Sequence, residues 1–131
     1  MSQNFHPGNP LPNAEDAQID MRKFEQYSMD PNNPKNRGKW TAFAAMGYDV
    51  QSLEGRHAGA QDVINQLRAK LVNTPATKGE ASIYGDRFEV KVGIKGPLGK
   101  EGILVTLWQI DINREVPRLI TNWLKVSQEE E

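Results

Sequence analysis

The fold is decided by residues 84–123, which read YGDRFEVKVGIKGPLGKEGILVTLWQIDINREVPRLITNW. Apolar side chains alternate with polar ones along this segment, and turn-forming residues interrupt it at 96–99 and at Asn113. This pattern predicts β-strands at about 83–84, 87–94, 103–111 and 117–125. Because short turns separate consecutive strands, we expect the strands to pair as an antiparallel meander.

Apolar residues recur at helical spacing ahead of the strands, in segments at about 14–28, 37–46 and 60–72. The second segment places Trp40 and Phe43 on one face and ends at Gly47, a residue type that commonly terminates helices. Residues 49–59 are expected to form a loop. Helices followed by consecutive strands predict an α+β fold, with N-terminal helices packed on one face of a C-terminal antiparallel sheet.

Composition bounds the domain organisation. The chain has 131 residues, of which 25% are charged, and its formal net charge is −1. This length fits one domain, which we place at 14–126. The Pro-, Gly- and Asn-rich residues 1–13 are expected to be a disordered leader or linker, and residues 127–131 an acidic tail. A net charge near zero argues against a basic coat for non-specific nucleic-acid binding, but it allows a basic cleft.

Several kinds of chemistry lack the residues they need. The chain has no cysteine and 2 histidines, which argues against a thiolate nucleophile, a cysteine zinc site or a histidine-rich metal hydrolase. It also lacks a Gly-rich phosphate loop, an HExxH motif and a serine nucleophile elbow. No apolar run approaches the ~20 residues of a membrane-spanning helix. We therefore expect no metal, no cofactor and no membrane span.

A histidine offers one route to acid–base catalysis. His57 follows Arg56 in the glycine-flanked segment 55–59, just before the third predicted helix. A histidine beside a fixed cation is suited to proton transfer on a phosphodiester, and glycine neighbours let a phosphate approach the backbone. The alternative is an exposed loop histidine without a catalytic role.

A second group of candidates combines cations, hydroxyls and an aromatic ring. Lys39 lies in the second predicted helix, while Thr106 and Trp108 share one face of a strand because strand side chains alternate. Arg118 and Thr121 lie in the last strand. These residue types suit a ligand with oxygens and rings, and a nucleic acid is the first candidate. Two alternatives stay open, since a tryptophan on an apolar strand is more often core and an arginine after a proline is often an ordinary strand-end charge.

Motifs spread over about residues 22–124 resemble a bacterial and cyanobacterial family of small domains. The matching segments are 39–48 (KWTAFAAMGY), 84–90 (YGDRFEV), 96–99 (GPLG), 106–108 (TLW) and 117–121 (PRLIT). The chain also resembles the C-terminal toxin region of contact-dependent growth inhibition effectors. Many such toxins are RNases of the barnase/EndoU/colicin/RelE type, in which N-terminal helices pack on an antiparallel sheet whose open face cuts tRNA.

This resemblance implies a function, a location and a partner. The implied protein is an endoribonuclease made as the C-terminal part of a large exported effector, and it cleaves tRNA in the cytoplasm of a target bacterium. A cognate immunity protein would neutralise it, and the domain would be a monomer apart from that complex. The sequence departs from a generic barnase because the predicted sheet carries no obvious Glu/His pair.

In the reaction that this interpretation implies, a ribose 2′-OH attacks the adjacent phosphate without a metal ion. The expected catalytic residues are His57 as acid and base, Lys39, Thr106 and Thr121. The expected substrate-binding residues are Arg56, Arg118 and Trp108. Two other functions stay open: a non-catalytic protein-binding module, or a toxin that acts on DNA or a nucleotide.

Overall fold

The computed structural model describes residues 5–127. Within this range the α-helices are α1 (Trp40–Ala45) and α2 (Leu53–Leu71). Shorter helical turns occupy Ala14–Asp16, Phe24–Ser28 and Pro34–Asn36. The middle one has π-helical geometry, and we call it the π-turn. The strands are β1 (Thr77–Lys78), β2 (Gly85–Lys95), β3 (Glu101–Asp111) and β4 (Arg118–Val126).

The strands form an antiparallel meander in the order β1-β2-β3-β4. α2 packs against β2, and α1 lies beside the edge strand β4. The predicted α+β fold, with helices packed on one face of an antiparallel sheet, is confirmed. No helix among the described residues has an apolar stretch long enough to cross a membrane.

The two faces of the sheet differ in what they carry. One face, which we call the helix face, buries Val90, Leu104 and Trp108 in a core shared with Leu67 of α2. Burial of a side chain of this size contributes roughly 1.5–3 kcal/mol. Because side chains alternate along a strand, the opposite face, which we call the open face, carries the intervening residues. Among them are the exposed or half-buried Arg87, Lys91, Leu107, Thr121 and Trp123.

The predicted helix at 14–28 is wrong, because the segment forms two separate helical turns with extended residues between them. The backbone of Gln18 pairs with β4: its N–H donates to the Pro117 carbonyl at 2.9 Å, and its carbonyl accepts from the Leu119 N–H at 3.0 Å. This pairing uses groups that a continuous helix would bond internally. It also covers part of an edge strand, whose unpaired backbone groups would otherwise be exposed.

The predicted loop at 49–59 is wrong from Leu53 onward, because α2 begins there and not at residue 60. Ser52 caps the helix, since its hydroxyl accepts a hydrogen bond from the Gly55 N–H at 2.9 Å. As a result, the two residues that were expected in a loop, Arg56 and His57, lie in the first turns of α2.

The glycines that favour a loop in the sequence serve close packing in the structure. A β-carbon on Gly59 would lie 2.9 Å from the Met29 methyl group and 3.1 Å from the Tyr48 ring. Helix α2 can therefore approach its neighbours at this point only with a very small residue. A glycine inside a helix destabilises the helix by about 1 kcal/mol relative to alanine. The close packing of α2 outweighs this cost.

The second helix and the strands fit their predictions more closely. α1 begins later than residue 37 because Arg37 and Gly38 have positive φ angles of 54° and 84°. Gly47 follows its end with a φ of 99°, which confirms the predicted C-terminal stop. The predicted strand at 83–84 is wrong, because these residues turn into β2 between the bridged residues Ser82 and Gly85. β1 pairs with β2 in its place.

The described part of the expected leader packs on the domain. The ring centroid of Phe5 lies 5.1 Å from that of Phe88 in the core. Leu11 is 2% exposed. Phe5 and Leu11 therefore contact the domain, and the Asn9 carbonyl accepts a hydrogen bond from the Ala76 N–H at 2.8 Å. The expected features that lie outside the described residues are the first part of the leader (1–4) and most of the acidic tail (128–131).

Leu11→Ala should lower the free energy of unfolding by about 2–5 kcal/mol, because it removes a buried side chain and leaves a cavity. Urea denaturation measures this change. Leu98→Ala is the matched control, since Leu98 is 79% exposed. Its effect should stay within about 0.5 kcal/mol. If the two variants unfold at the same urea concentration, Leu11 does not pack as described.

Candidate functional site

The structure brings Lys39 and Thr121 together with two aromatic side chains at the β4 edge. The Lys39 Nζ donates to the Tyr27 hydroxyl at 2.9 Å and to the Thr121 Oγ1 at 3.4 Å. It also lies 4.8 Å from the ring centroid of Tyr27 and 5.6 Å from that of Trp123. Both distances fall within the ~6 Å reach of a cation–π interaction. We call these four residues the lysine cluster.

Tyr27 acquires acid–base character from its place in this cluster. The pKa of its phenol lies below the usual value because the Lys39 ammonium donates a hydrogen bond to the oxygen, while partial burial opposes the shift. A lowered pKa increases the fraction of the phenol that is ionised near neutral pH, and the phenolate is the form that can accept a proton. The sequence pattern does not single out Tyr27, because in a helix predicted at 14–28 it is one more apolar position.

Two depressions in the surface meet at the lysine cluster. One, with a volume of about 490 Å³, is lined by residues that include Arg22, Lys23, Tyr27 and Thr121. We call it the tyrosine groove. The other, of about 320 Å³, is lined by residues that include Arg37, Lys39 and Trp123, and we call it the lysine groove.

The electrostatic character of the two grooves is basic. Their linings hold Arg22, Lys23, Arg37 and Lys39, against the single acid Asp20 among the described lining residues. The Asp20 carboxylate pairs with Arg22 at 2.7 Å. Cations, hydroxyls and aromatic rings therefore line one continuous stretch of surface on a chain whose net charge is −1.

Thr106 and Trp108 lie in the core, away from the lysine cluster. Both are 0% exposed on the helix face. The Thr106 hydroxyl donates to the Val90 carbonyl at 2.7 Å and accepts from the Trp108 indole N–H at 2.7 Å. The two side chains satisfy each other, so neither can contact a ligand at the surface. The expectation that they act on a substrate is therefore wrong, and Trp108 is a core residue, which was the alternative for this strand.

His57 is placed apart from the lysine cluster. Its Nδ1 lies 2.7 Å from the Glu25 carboxylate, and its side chain is 62% exposed. Glu25 and Tyr27 are two residues apart on the π-turn, and residues at that spacing do not face each other. His57 and Lys39 therefore contact opposite sides of the same turn. The His57–Glu25 pair has the form of a base oriented by a carboxylate. Neither residue is among the described residues that line the two basic grooves.

The Arg56 guanidinium is hydrogen-bonded to two backbone carbonyls. Its Nε donates to the Glu25 carbonyl at 3.0 Å and its Nη1 to the Val50 carbonyl at 2.9 Å. These bonds tie the start of α2 to the π-turn and to the preceding loop. The expected role in substrate binding does not fit this geometry, because the guanidinium is half-buried and bonded to backbone.

Arg118 lies on the open face in an ion pair with Asp111. The guanidinium donates two hydrogen bonds to the carboxylate, at 2.7 and 3.2 Å. These bonds hold the pKa of Asp111 below its usual value and raise the pKa of Arg118. A third groove, of about 570 Å³, includes Arg118 and Ile120 in its lining. Because Ile120 also lines the tyrosine groove, the two grooves adjoin on the open face.

Comparisons with known proteins place this geometry in context. The chain belongs to the family described as a domain of unknown function (DUF6883), whose profile matches residues 10–126. One similar solved structure is a contact-dependent growth inhibition toxin–immunity protein complex from Klebsiella pneumoniae 342. The match has a TM-score of 0.55 and 16% identity, over 86% of this chain and 96% of that chain. This likeness establishes a shared fold. Comparison with curated proteins finds no match.

Within residues 5–127, no group of three or more histidine, aspartate or glutamate side chains is arranged to hold a metal ion. The polar groups that converge at the grooves are instead an ammonium, a phenol and a threonine hydroxyl. This set can transfer a proton, neutralise anionic oxygens and accept or donate hydrogen bonds.

Lys39→Met should raise the pKa of Tyr27, because the phenolate loses its nearest cation. Ultraviolet titration of tyrosine ionisation measures this, and subtracting the Tyr27→Phe curve isolates the Tyr27 step. The step is separable from that of Tyr48, whose pKa is raised by burial and by its hydrogen bond to Asp62. Lys35→Met, which removes an exposed lysine nearby, is the control and should change nothing. Identical curves for Lys39→Met and the wild type would show that the contact is not formed.

Proposed function

We propose that this chain is an RNase toxin domain that cleaves tRNA in a target bacterium, with the lysine cluster as its catalytic site. The observation that carries the proposal is the Lys39 Nζ, within hydrogen-bond reach of both the Tyr27 hydroxyl and the Thr121 Oγ1 where two basic grooves meet. The fold shared with a chain of a toxin–immunity protein complex supports the toxin class.

The chemistry we propose is internal transesterification. Tyr27, as phenolate, takes the proton of a ribose 2′-OH, and the 2′-oxygen attacks the adjacent phosphorus. The P–O2′ bond forms and the P–O5′ bond breaks, which leaves a 2′,3′-cyclic phosphate, and the departing 5′-oxygen takes a proton from water in the open groove. Lys39 neutralises the charge that develops on the phosphorane oxygens, and Thr121 donates a hydrogen bond to one of them.

The grooves would hold the RNA strand on either side of the reacting phosphate. Arg22, Lys23 and Arg37 would contact phosphates, which gives affinity that falls with salt and does not depend on sequence. The half-buried ring of Trp123 offers a surface on which a base can stack, an interaction of about 1–3 kcal/mol. Arg118 would reach a phosphate farther along the open face.

Incubation of the purified domain with total tRNA in EDTA tests the proposal. We expect cleavage, with products that end in 2′,3′-cyclic phosphate and 5′-hydroxyl groups. Products with 5′-phosphate ends would point to a metal-dependent hydrolase and contradict the mechanism. Cleavage of DNA that requires Mg²⁺ would favour a DNA target. A domain that cuts no nucleic acid but binds a protein partner would be a non-catalytic protein-binding module.

Two variants distinguish the lysine cluster from the histidine that the sequence favoured. Tyr27→Phe should lower the cleavage rate by about 10²–10⁴-fold, because it removes the proton acceptor and leaves the ring in place. His57→Ala should leave the rate within a few fold, since His57 lies on the other side of the π-turn. If His57→Ala abolishes cleavage while Tyr27→Phe is active, the chemistry belongs to the His57–Glu25 pair.

A toxin that is made inside its own producer needs an inhibitor, and we propose an acidic immunity protein that covers the two basic grooves. Charge complementarity would speed the association and make the association rate fall with salt. Stopped-flow association with the cognate protein measures this. Replacing both Lys23 and Arg37 by Glu should slow association and weaken RNA binding together, whereas Lys100→Glu, on the β2–β3 turn, should do neither. Immunity binding that is unchanged in the double variant would place the inhibitor elsewhere.

A further inference from the structure

One backbone carbonyl next to the lysine cluster is held by two side chains. The Lys23 carbonyl, at the start of the π-turn, accepts a hydrogen bond from the Ser28 hydroxyl at 3.1 Å and another from the Asn122 Nδ2 at 3.1 Å. Both of these side chains are 0% exposed. Ser28 joins the two ends of the π-turn, and Asn122 ties the turn to β4.

A β-bulge sets the direction of the β4 side chains at this point. Thr121 pairs with Leu107 and Leu119 with Trp108, so Ile120 is an extra residue in β4. Bulges redirect the side chains that follow them and are frequent next to active sites. Here the bulge leaves Thr121 on the open face, toward Lys39, and Asn122 on the helix face, toward the π-turn.

The π-turn is the second irregular element at this site. Helical turns of this kind are rare and are frequently found at functional sites. The Tyr27 hydroxyl belongs to this turn, and its contact with Lys39 depends on where the turn sits relative to β4. The bond from Asn122 to the Lys23 carbonyl ties the turn to β4, and the bond from Ser28 to the same carbonyl holds the turn closed.

The buried Asn122 side chain lowers the stability of the fold. Among the residues that the structure describes, its Oδ1 has no hydrogen-bond partner, although the atom is buried. A buried acceptor without a partner destabilises the folded state, and an apolar residue of similar size would avoid that penalty. What the amide supplies at this position is the N–H group that it donates to Lys23.

We propose that Ser28 and Asn122 are positioning residues: Ser28 holds the π-turn closed, Asn122 ties it to β4, and together they place the Tyr27 hydroxyl against Lys39 and Thr121. Neither residue touches the substrate in this scheme. Their importance for catalysis rests on the proposed RNase function, whereas the positioning itself stands on the hydrogen bonds, the bulge and the burial described above.

Ser28→Ala tests the proposal, because it removes one hydroxyl and leaves the volume nearly unchanged, and Asn122→Ala is the second variant. The first readout is ultraviolet titration of Tyr27 without RNA, in which both variants should raise its pKa toward the usual value. The second is steady-state cleavage of total tRNA, in which kcat should fall by about 10–100-fold with little change in KM. Titration is measured at pH values where each variant remains folded by circular dichroism.

Thr74→Ala is the matched control. Its Oγ1 donates to the Lys70 carbonyl at 2.7 Å, so the substitution removes the same kind of bond at the far end of α2. Neither readout should change in this variant.

The outcomes separate this proposal from the proposed function. If Tyr27 titrates as in the wild type in both Ser28→Ala and Asn122→Ala, the positioning proposal is overturned, whatever the rates. If the titration shifts but the wild-type domain cuts no RNA, the positioning stands and the RNase function fails. A titration shift together with a loss in kcat supports both.

Discussion

The ammonium of Lys39 is the group on which the arrangement of the site depends. It joins the π-turn, the start of α1 and the edge strand β4, and its partner Thr121 is 82 residues away in sequence. A cation in a partly buried position needs hydrogen-bond partners and polarisable surroundings. The Tyr27 hydroxyl, the Thr121 hydroxyl and two aromatic rings supply them. The contact between Lys39 and Tyr27 stabilises the ammonium and also lowers the pKa of Tyr27. The interaction that holds the site together therefore also gives Tyr27 its acid–base character.

The sheet acts as the rigid support of this site. Its helix face is closed by apolar packing and by the Thr106–Trp108 hydrogen bond, which leaves no polar group of that pair for a ligand. Its open face keeps hydroxyl, aromatic and charged side chains accessible. The irregular elements, the π-turn and the bulge at Ile120, lie where the helical segment meets the edge strand. If β4 alternated regularly from Leu119 onward, Thr121 would lie on the helix face and not toward Lys39.

The features of the fold that depend on the periodicity of apolar residues could be predicted from the sequence. Alternation along the strands gave the meander and assigned Thr106 and Trp108 to the same face, and the stop at Gly47 followed from helix-terminating chemistry. Lys39 and Thr121 were expected as site residues, and the structure brings them together. The role of Tyr27 could not be predicted, because it depends on a π-turn that has no distinct apolar period. The start of α2 was missed because Gly55 and Gly59 favour a loop locally. In the folded chain Gly55 packs closely against Asp49, and Gly59 packs closely against Met29 and Tyr48.

The most direct measurement of the central claim is a double-mutant cycle on tRNA cleavage with Tyr27→Phe, Lys39→Met and the combined variant. If the two side chains act as one catalytic unit, removing the second after the first costs little, and the combined loss is close to the larger single loss. Losses that multiply would mean that the two residues act independently, which contradicts the account of a phenol activated by the adjacent ammonium.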